Sequence, residues 1–114
     1  MTNDYNDETI LEKKGFVEKT LNDNDAVRTY ELVQNYPNPF NPSTMIKYQI
    51  PKSGNVTLKI YDILGAEVAT LVNEEKSVGR YEVNFDASSL ASGVYLYRIQ
   101  VNDFVDVKKM VLMK

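Results

Sequence analysis

Thr44-Met45-Ile46-Lys47-Tyr48-Gln49-Ile50 is the stretch that decides the fold. Thr44, Ile46, Tyr48 and Ile50 fall on one side of a period of two, and Met45, Lys47 and Gln49 fall on the other. Successive side chains of a strand point to opposite faces, so this is the pattern of a strand with one buried face. Tyrosine and β-branched residues suit such a half-buried pleated surface.

The same period continues downstream. Pro51-Lys52-Ser53-Gly54 makes a turn, after which Val56, Leu58 and Ile60 alternate with Thr57, Lys59 and Tyr61. Ile63-Leu64-Gly65 turns the chain into a third strand over residues 67–72, and 73–79 reads as a charged loop. Tyr81, Val83 and Phe85 then alternate with Arg80, Glu82 and Asn84, and residues 86–92 form another loop. Tyr95, Tyr97 and Ile99 alternate with Leu96 and Arg98; Asn102-Asp103 turns, and residues 104–113 close the chain. With 31–34 as an edge piece there are about seven short strands, punctuated every eight to twelve residues or so, which is the signature of an all-β, immunoglobulin-like sandwich. No part of 31–114 carries a capped, helix-period stretch long enough to compete.

Upstream the pattern is lost. In residues 1–30 the apolar side chains follow neither period, Gly15 interrupts any helix, and Asn22-Asp23-Asn24-Asp25 has turn chemistry. That Asn/Asp run lacks the glycine and distal glutamate of a calcium-binding EF-hand loop. Seven acids face four bases there, whereas the remainder holds nine of each sign, so the whole net charge of -3 lies in this segment. It is expected to be a polar linker or the remnant of an upstream cargo region, with the chain itself a fragment of a longer product.

The 114 residues suit one domain. Cysteine is absent, which excludes disulfides and thiolate metal sites, and histidine is absent, which removes the commonest general base and metal ligand. No cofactor is expected. A body of balanced charge has no footprint for a nucleic-acid backbone, no apolar run is long enough to cross a bilayer, and the acidic N-terminus has no apolar core of an export signal.

Tyr36-Pro37-Asn38-Pro39-Phe40-Asn41-Pro42-Ser43 is the most unusual stretch. Its prolines lack amide donors and push each preceding residue toward extended or polyproline backbone, so it cannot be a central strand. A rigid crossing at the start of the domain is expected, with Tyr36 and Phe40 tucked against the body. The functional alternative is a ligand for a proline-reading domain.

Taken in order, four motifs carry a resemblance. They are residues 35–44 (Asn-Tyr-Pro-Asn-Pro-Phe-Asn-Pro-Ser-Thr), Ile60-Tyr61-Asp62-Ile63-Leu64-Gly65, Gly93-Val94-Tyr95-Leu96-Tyr97-Arg98 and Lys108-Lys109-Met110-Val111-Leu112. Together, over about 31–114, they resemble the type A C-terminal sorting domain of the type IX (Por) secretion system, a family similar to the immunoglobulin-like domain of the flagellar hook-capping protein. The resemblance implies a tail appended to secreted enzymes and adhesins of Bacteroidota. Such a tail is handled by the outer-membrane translocon after the cargo reaches the periplasm, and a cell-surface sortase removes it. The protein would then be secreted or held at the cell surface, and the tail is expected to be a monomer. The resemblance also implies that Gly93, Tyr95, Lys108, Lys109, Met110, Val111, Leu112 and Lys114 serve recognition, while Pro37, Asn38, Pro39, Phe40 and Gly65 are structural.

The residues permit that reading. Gly93 is expected to take positive φ at a turn into a strand, and Tyr95 and Tyr97 to share a face with hydroxyls bonding backbone at a sandwich corner. The last strand is open to two readings: an exposed edge read by β-augmentation with contacts to the lysines, or a plain closing strand whose lysines guard it. Deleting 108–114 is expected to abolish sorting while leaving the fold. No enzyme is expected: Ser43, Ser53, Ser77, Ser88, Ser89 and Ser92 have no histidine to activate them, and the carboxylates Asp62 and Asp86 sit beside turns, where Asp is expected anyway. The alternative function is an extracellular immunoglobulin-like binding or adhesion module for a protein or carbohydrate. For sugar Tyr61 is the best exposed aromatic, with no tryptophan to help.

Overall fold

Strands form where the period of two runs. The computed structural model describes residues 27–114, so the reading of 1–30 as linker, and of its Asn/Asp run, falls almost wholly outside the described residues. The strands are β1 (Glu31–Leu32), β2 (Ser43–Ile50), β3 (Gly54–Asp62), β4 (Glu67–Lys76), β5 (Gly79–Asp86), β6 (Gly93–Val101) and β7 (Phe104–Leu112). They make a three-stranded sheet in the order β1-β2-β5 and a four-stranded sheet in the order β4-β3-β6-β7, every pair antiparallel. Two hairpins, β3-β4 and β6-β7, stay within one sheet, and the other connections from β2 onward change sheets. This is the all-β, immunoglobulin-like sandwich expected from the sequence.

The inner faces follow the alternation. Thr44, Ile46, Tyr48 and Ile50 of β2 are at most 2% exposed, and Val56, Leu58 and Ile60 of β3 and Tyr97, Ile99 and Val101 of β6 are fully buried. Phe85 of β5 and Met110 and Leu112 of β7 complete the layer. Each such aliphatic or aromatic side chain contributes about 1.5–3 kcal/mol relative to exposure, which is how a chain without staples holds two small sheets together.

Two expectations need correction. Residues 73–76 are strand: Gly54–Thr57 of β3 pairs in register with Asn73–Lys76 of β4. The charges that resemble a loop (Glu74, Glu75 and Lys76) lie on an edge strand, where charge blunts pairing with other chains. Tyr36 is not tucked in. It is 80% exposed, while Phe40 is buried and its ring lies 6.2 Å from that of Phe85. Residues 36–42 do act as a crossing at the domain's edge, with cis peptide bonds before Pro37, Pro39 and Pro42.

The two ends of the sandwich differ. At one end Tyr30 stacks on Phe104 with ring centroids 5.1 Å apart, and the Asn102 side-chain amide donates to the Tyr30 hydroxyl at 2.9 Å. At the other, β3 and β7 terminate, β4 and β6 begin, and the chain finishes at Lys114.

Candidate functional site

β7 holds most of the residues that the sequence singled out. It pairs with β6 along its full length, from Gly93↔Leu112 to Val101↔Phe104, across a turn in which Asn102 takes φ 53°. Asn tolerates that left-handed geometry, which explains an Asn at this position of a two-residue turn. Alternation then divides the segment. Met110 and Leu112 face the core at 0% and 1% exposure, Lys108 shares their face but is half-buried, and Lys109 and Val111 face outward.

The flanking motif residues are structural in their contacts. Tyr95 is buried and its hydroxyl donates to the carbonyl of Ala91 at 2.7 Å, a tyrosine corner at the start of β6. Gly93 takes φ 158°, a positive φ at the entry to β6 that residues with a Cβ rarely adopt, as expected from the sequence. Gly65 needs the same freedom: at φ 89° it ends the β3-β4 turn, its N–H donating to the carbonyl of Asp62 at 3.0 Å. The Asp62 carboxylate accepts from the N–H groups of Leu64 and Ala66 at 2.9 and 3.0 Å.

The outer edge of β7 is only partly free. The N–H of Phe40 donates to the carbonyl of Val111 at 2.9 Å, and that of Met113 to the carbonyl of Phe40 at 3.0 Å. The N–H of Val111 donates to Asn38 Oδ1 at 2.9 Å, and Gln34 Nε2 to the carbonyl of Lys109 at 2.7 Å. Residues 34–40 thus form a clasp over the final third of β7. From Phe104 to Val107 no other described strand pairs with this edge, and the Val107 N–H donates to the Asp106 carboxylate at 2.9 Å.

Buried polar groups fix the clasp. Asn35 and Thr44 are each 2% exposed. Asn35 Nδ2 donates to Thr44 Oγ1 at 3.0 Å and to the carbonyl of Pro37 at 3.1 Å, and Thr44 Oγ1 donates to that same carbonyl at 2.8 Å. The Tyr97 hydroxyl receives the N–H of Asn35 at 2.7 Å and donates to the carbonyl of Val33 at 2.8 Å. Burial pushes the Tyr97 hydroxyl up to about 12; the Asn35 N–H opposes the shift, and the nearby Asp106 adds to it.

Lys114 is engaged by its own domain. Its Nζ donates to the carbonyls of Ser88 and Leu90, both at 2.7 Å, and its N–H to Ser92 Oγ at 3.0 Å. The Asp86 carboxyl accepts from the Ser88 hydroxyl and N–H, which hold it below the usual range with help from the Lys114 charge. Asp62 and Asp86 are therefore both committed to turns. Among the described residues no cluster of three acidic, histidine or cysteine side chains is placed to hold a metal.

Comparison with known proteins decides the family. The family model described as a secretion system C-terminal sorting domain matches residues 34–113. The chain belongs to that family. The sorting domain is also similar to a solved structure, dimeric latent PorU from Porphyromonas gingivalis, at 24% identity and a TM-score of 0.57. The likeness covers 77% of this chain and 10% of that one, so the sorting domain spans about one tenth of the protein it matches, and it shows a shared fold. No curated protein matches the chain. A type IX tail of this family marks proteins that are exported to the cell surface or secreted, and it implies dealings with the type IX machinery.

The clasp was legible only in part. The prolines, Asn38 and Phe40 were read as structural and the Tyr97 hydroxyl was expected to bond backbone, as it does, but the parts played by Asn35 and Thr44 were not foreseen. The one available signal was Thr44, a polar residue on the otherwise apolar face of Ile46, Tyr48 and Ile50.

Proposed function

We propose that this chain is the non-catalytic tail by which an upstream cargo protein is carried from the periplasm through the type IX outer-membrane translocon, and that a cell-surface sortase then removes it. The observation that carries this reading is the family match over residues 34–113, which spans all but the first strand of the sandwich. On this reading residues 31–114 are the sorting domain, and what precedes them joins it to the cargo.

Within the tail the recognition residues fall into two kinds. Lys109 and Val111 project outward, and the backbone edge from Phe104 to Asp106, unpaired with any other described strand, is open to an added one. These make the surface a receptor reads, with Lys108 at its margin. Met110, Leu112, Gly93 and Tyr95 shape the strand pair, and Lys114 fastens the last residue to the 88–92 loop. Deleting 108–114 is therefore a poor test, because it removes Met110 and Leu112 from the core. The sequence-based expectation that the fold survives this deletion gives way to an expectation of unfolding.

The test is fusion of the full chain behind a periplasmically exported reporter in a bacterium with the type IX system. The reporter is expected outside the cell with the tail removed, and a Lys109→Glu, Val111→Ser variant that stays folded is expected to be retained. Reporter stranded in the periplasm beside an intact, folded parent tail would sink the proposal.

A further inference from the structure

The β3-β4 turn shows something that neither the fold nor the β7 surface uses. Its two tip residues, Ile63 and Leu64, are 70% and 89% exposed. Turn tips accept Asp, Asn, Pro, Ser or Gly at no cost in burial, so two adjacent large aliphatic residues gain nothing there from folding. Single exposed apolar residues are ordinary, but a rigid adjacent pair is not. The pair is held rigidly: Asp62 Oδ1 accepts from the N–H of Leu64 and of Ala66, the Asp62 N–H donates to the carbonyl of Ala66 at 2.9 Å, and Gly65 closes the turn at φ 89°.

The register places this tip. Asp62 pairs with Tyr95 and Gly93 pairs with Leu112, so Ile63 and Leu64 extend beyond the sheet at the end where β7 finishes. Val94, 38% exposed, and Met113, 59% exposed, belong to that same end. The described chain begins at the opposite end, where Tyr30 packs on Phe104.

We infer that Ile63 and Leu64 are a docking knob that enters an apolar pocket on a protein component of the outer-membrane translocon. This rests on the sorting reading above and extends it from β7 to the adjoining end of the sheet. A protein pocket, rather than a lipid surface, is the occupant that the charges favour. Residues 62–67 contain no Lys or Arg, the Asp62 carboxylate is taken by the turn's N–H groups, and the nearby Lys59 ammonium is paired with Glu67 at 3.3 Å, so the turn offers no unpaired cation to anionic headgroups. Preorganisation suits a knob, because its ordering cost is met within the turn before any partner arrives.

The test measures binding of the full 114-residue chain to purified, detergent-solubilised type IX translocon, alongside an Ile63→Ser, Leu64→Ser double variant and a Tyr36→Ser control. Tyr36 is as exposed as the tip but lies in the clasp, and both sets of substitutions leave the core and the turn's backbone bonds in place. The double variant is expected to bind at least about tenfold more weakly with an unchanged melting temperature, and the control to bind as the parent does. Equal binding by the double variant and the parent overturns the knob and leaves the sorting reading standing. Loss of binding by the parent itself removes both. Tip-dependent binding to phosphatidylcholine or phosphatidylglycerol vesicles, or tip-dependent dimerisation in sedimentation, also overturns the assignment to a protein pocket.

Discussion

The backbone N–H of Asn35 donates to the hydroxyl of Tyr97 at 2.7 Å across 62 residues of sequence, and that hydroxyl donates onward to the carbonyl of Val33. One phenol oxygen therefore ties the start of the clasp to the middle of β6, in a position fully buried from water. Tyr97→Phe keeps the ring and leaves the buried Asn35 N–H without its acceptor. It is expected to cost about 2–3 kcal/mol in denaturant unfolding, the penalty of an unsatisfied buried donor, and to speed amide exchange at Asn35 and Phe40.

Tyr48 is the opposite case. Its hydroxyl is buried and has no hydrogen-bond partner, although its ring stacks on Tyr81 with centroids 5.3 Å apart. Tyr48→Phe removes an unsatisfied polar atom and keeps the packing, so it is expected to raise stability by about 1 kcal/mol. An unfolding midpoint below that of the parent would contradict this.

Both phenols make stability fall in alkali. Burial, with the charges of Tyr81 and Glu74 adding to it, pushes Tyr48 up to about 12, and burial pushes Tyr97 to about 12 as well. The folded state holds these protons more tightly than the unfolded chain, whose tyrosines titrate near 10. The contribution is therefore complete below about pH 10 and is lost as pH rises through 12. Urea midpoints are expected to be level with respect to these groups from pH 7 to 9 and to drop above 10, and the Tyr48→Phe and Tyr97→Phe variants are expected to drop less steeply.

Adjacent residues of β7 should behave unlike each other. Met110→Ala empties a fully buried position and is expected to cost about 2–5 kcal/mol. Lys109→Ala, on the exposed face, is expected to change stability by less than about 0.5 kcal/mol while reducing secretion of a fused reporter. Equal loss of secretion and stability in both would mean that Lys109 acts through the fold alone.

Gly65→Ala places a Cβ on backbone at φ 89° with open space around it, so the cost is conformational. About 1–2 kcal/mol is expected from thermal unfolding, with Asp62→Ala at a similar level through loss of the two N–H bonds to its carboxylate.

The inner face of the sandwich was written plainly in Ile46, Tyr48 and Ile50 and in Val56, Leu58 and Ile60, because alternation reports which side of a strand is dry. Residues 73–76 were misread because period alone cannot tell charge on an edge strand from charge in a loop. Tyr36 was misread because an aromatic beside proline packs only when backbone direction allows it, and here its backbone bonds to Met45 leave its side chain outside. The contacts of Asn35, Asn38 and Gln34 with distant partners had no local signature, since a hydrogen bond across dozens of residues leaves no period. The free and covered parts of the β7 edge were invisible for the same reason.

The bonds of Phe40 and Asn38 to Val111 and Met113 join the domain's opening segment to its closing one. During synthesis the proline-rich segment emerges early and must wait, unfastened, until Val111 and Met113 have left the ribosome. A prematurely terminated chain lacks the strand on which it closes, and so cannot complete the sandwich. Folding of this domain is in that sense a receipt for translation through β7: only a product made past Met113 can present a closed clasp.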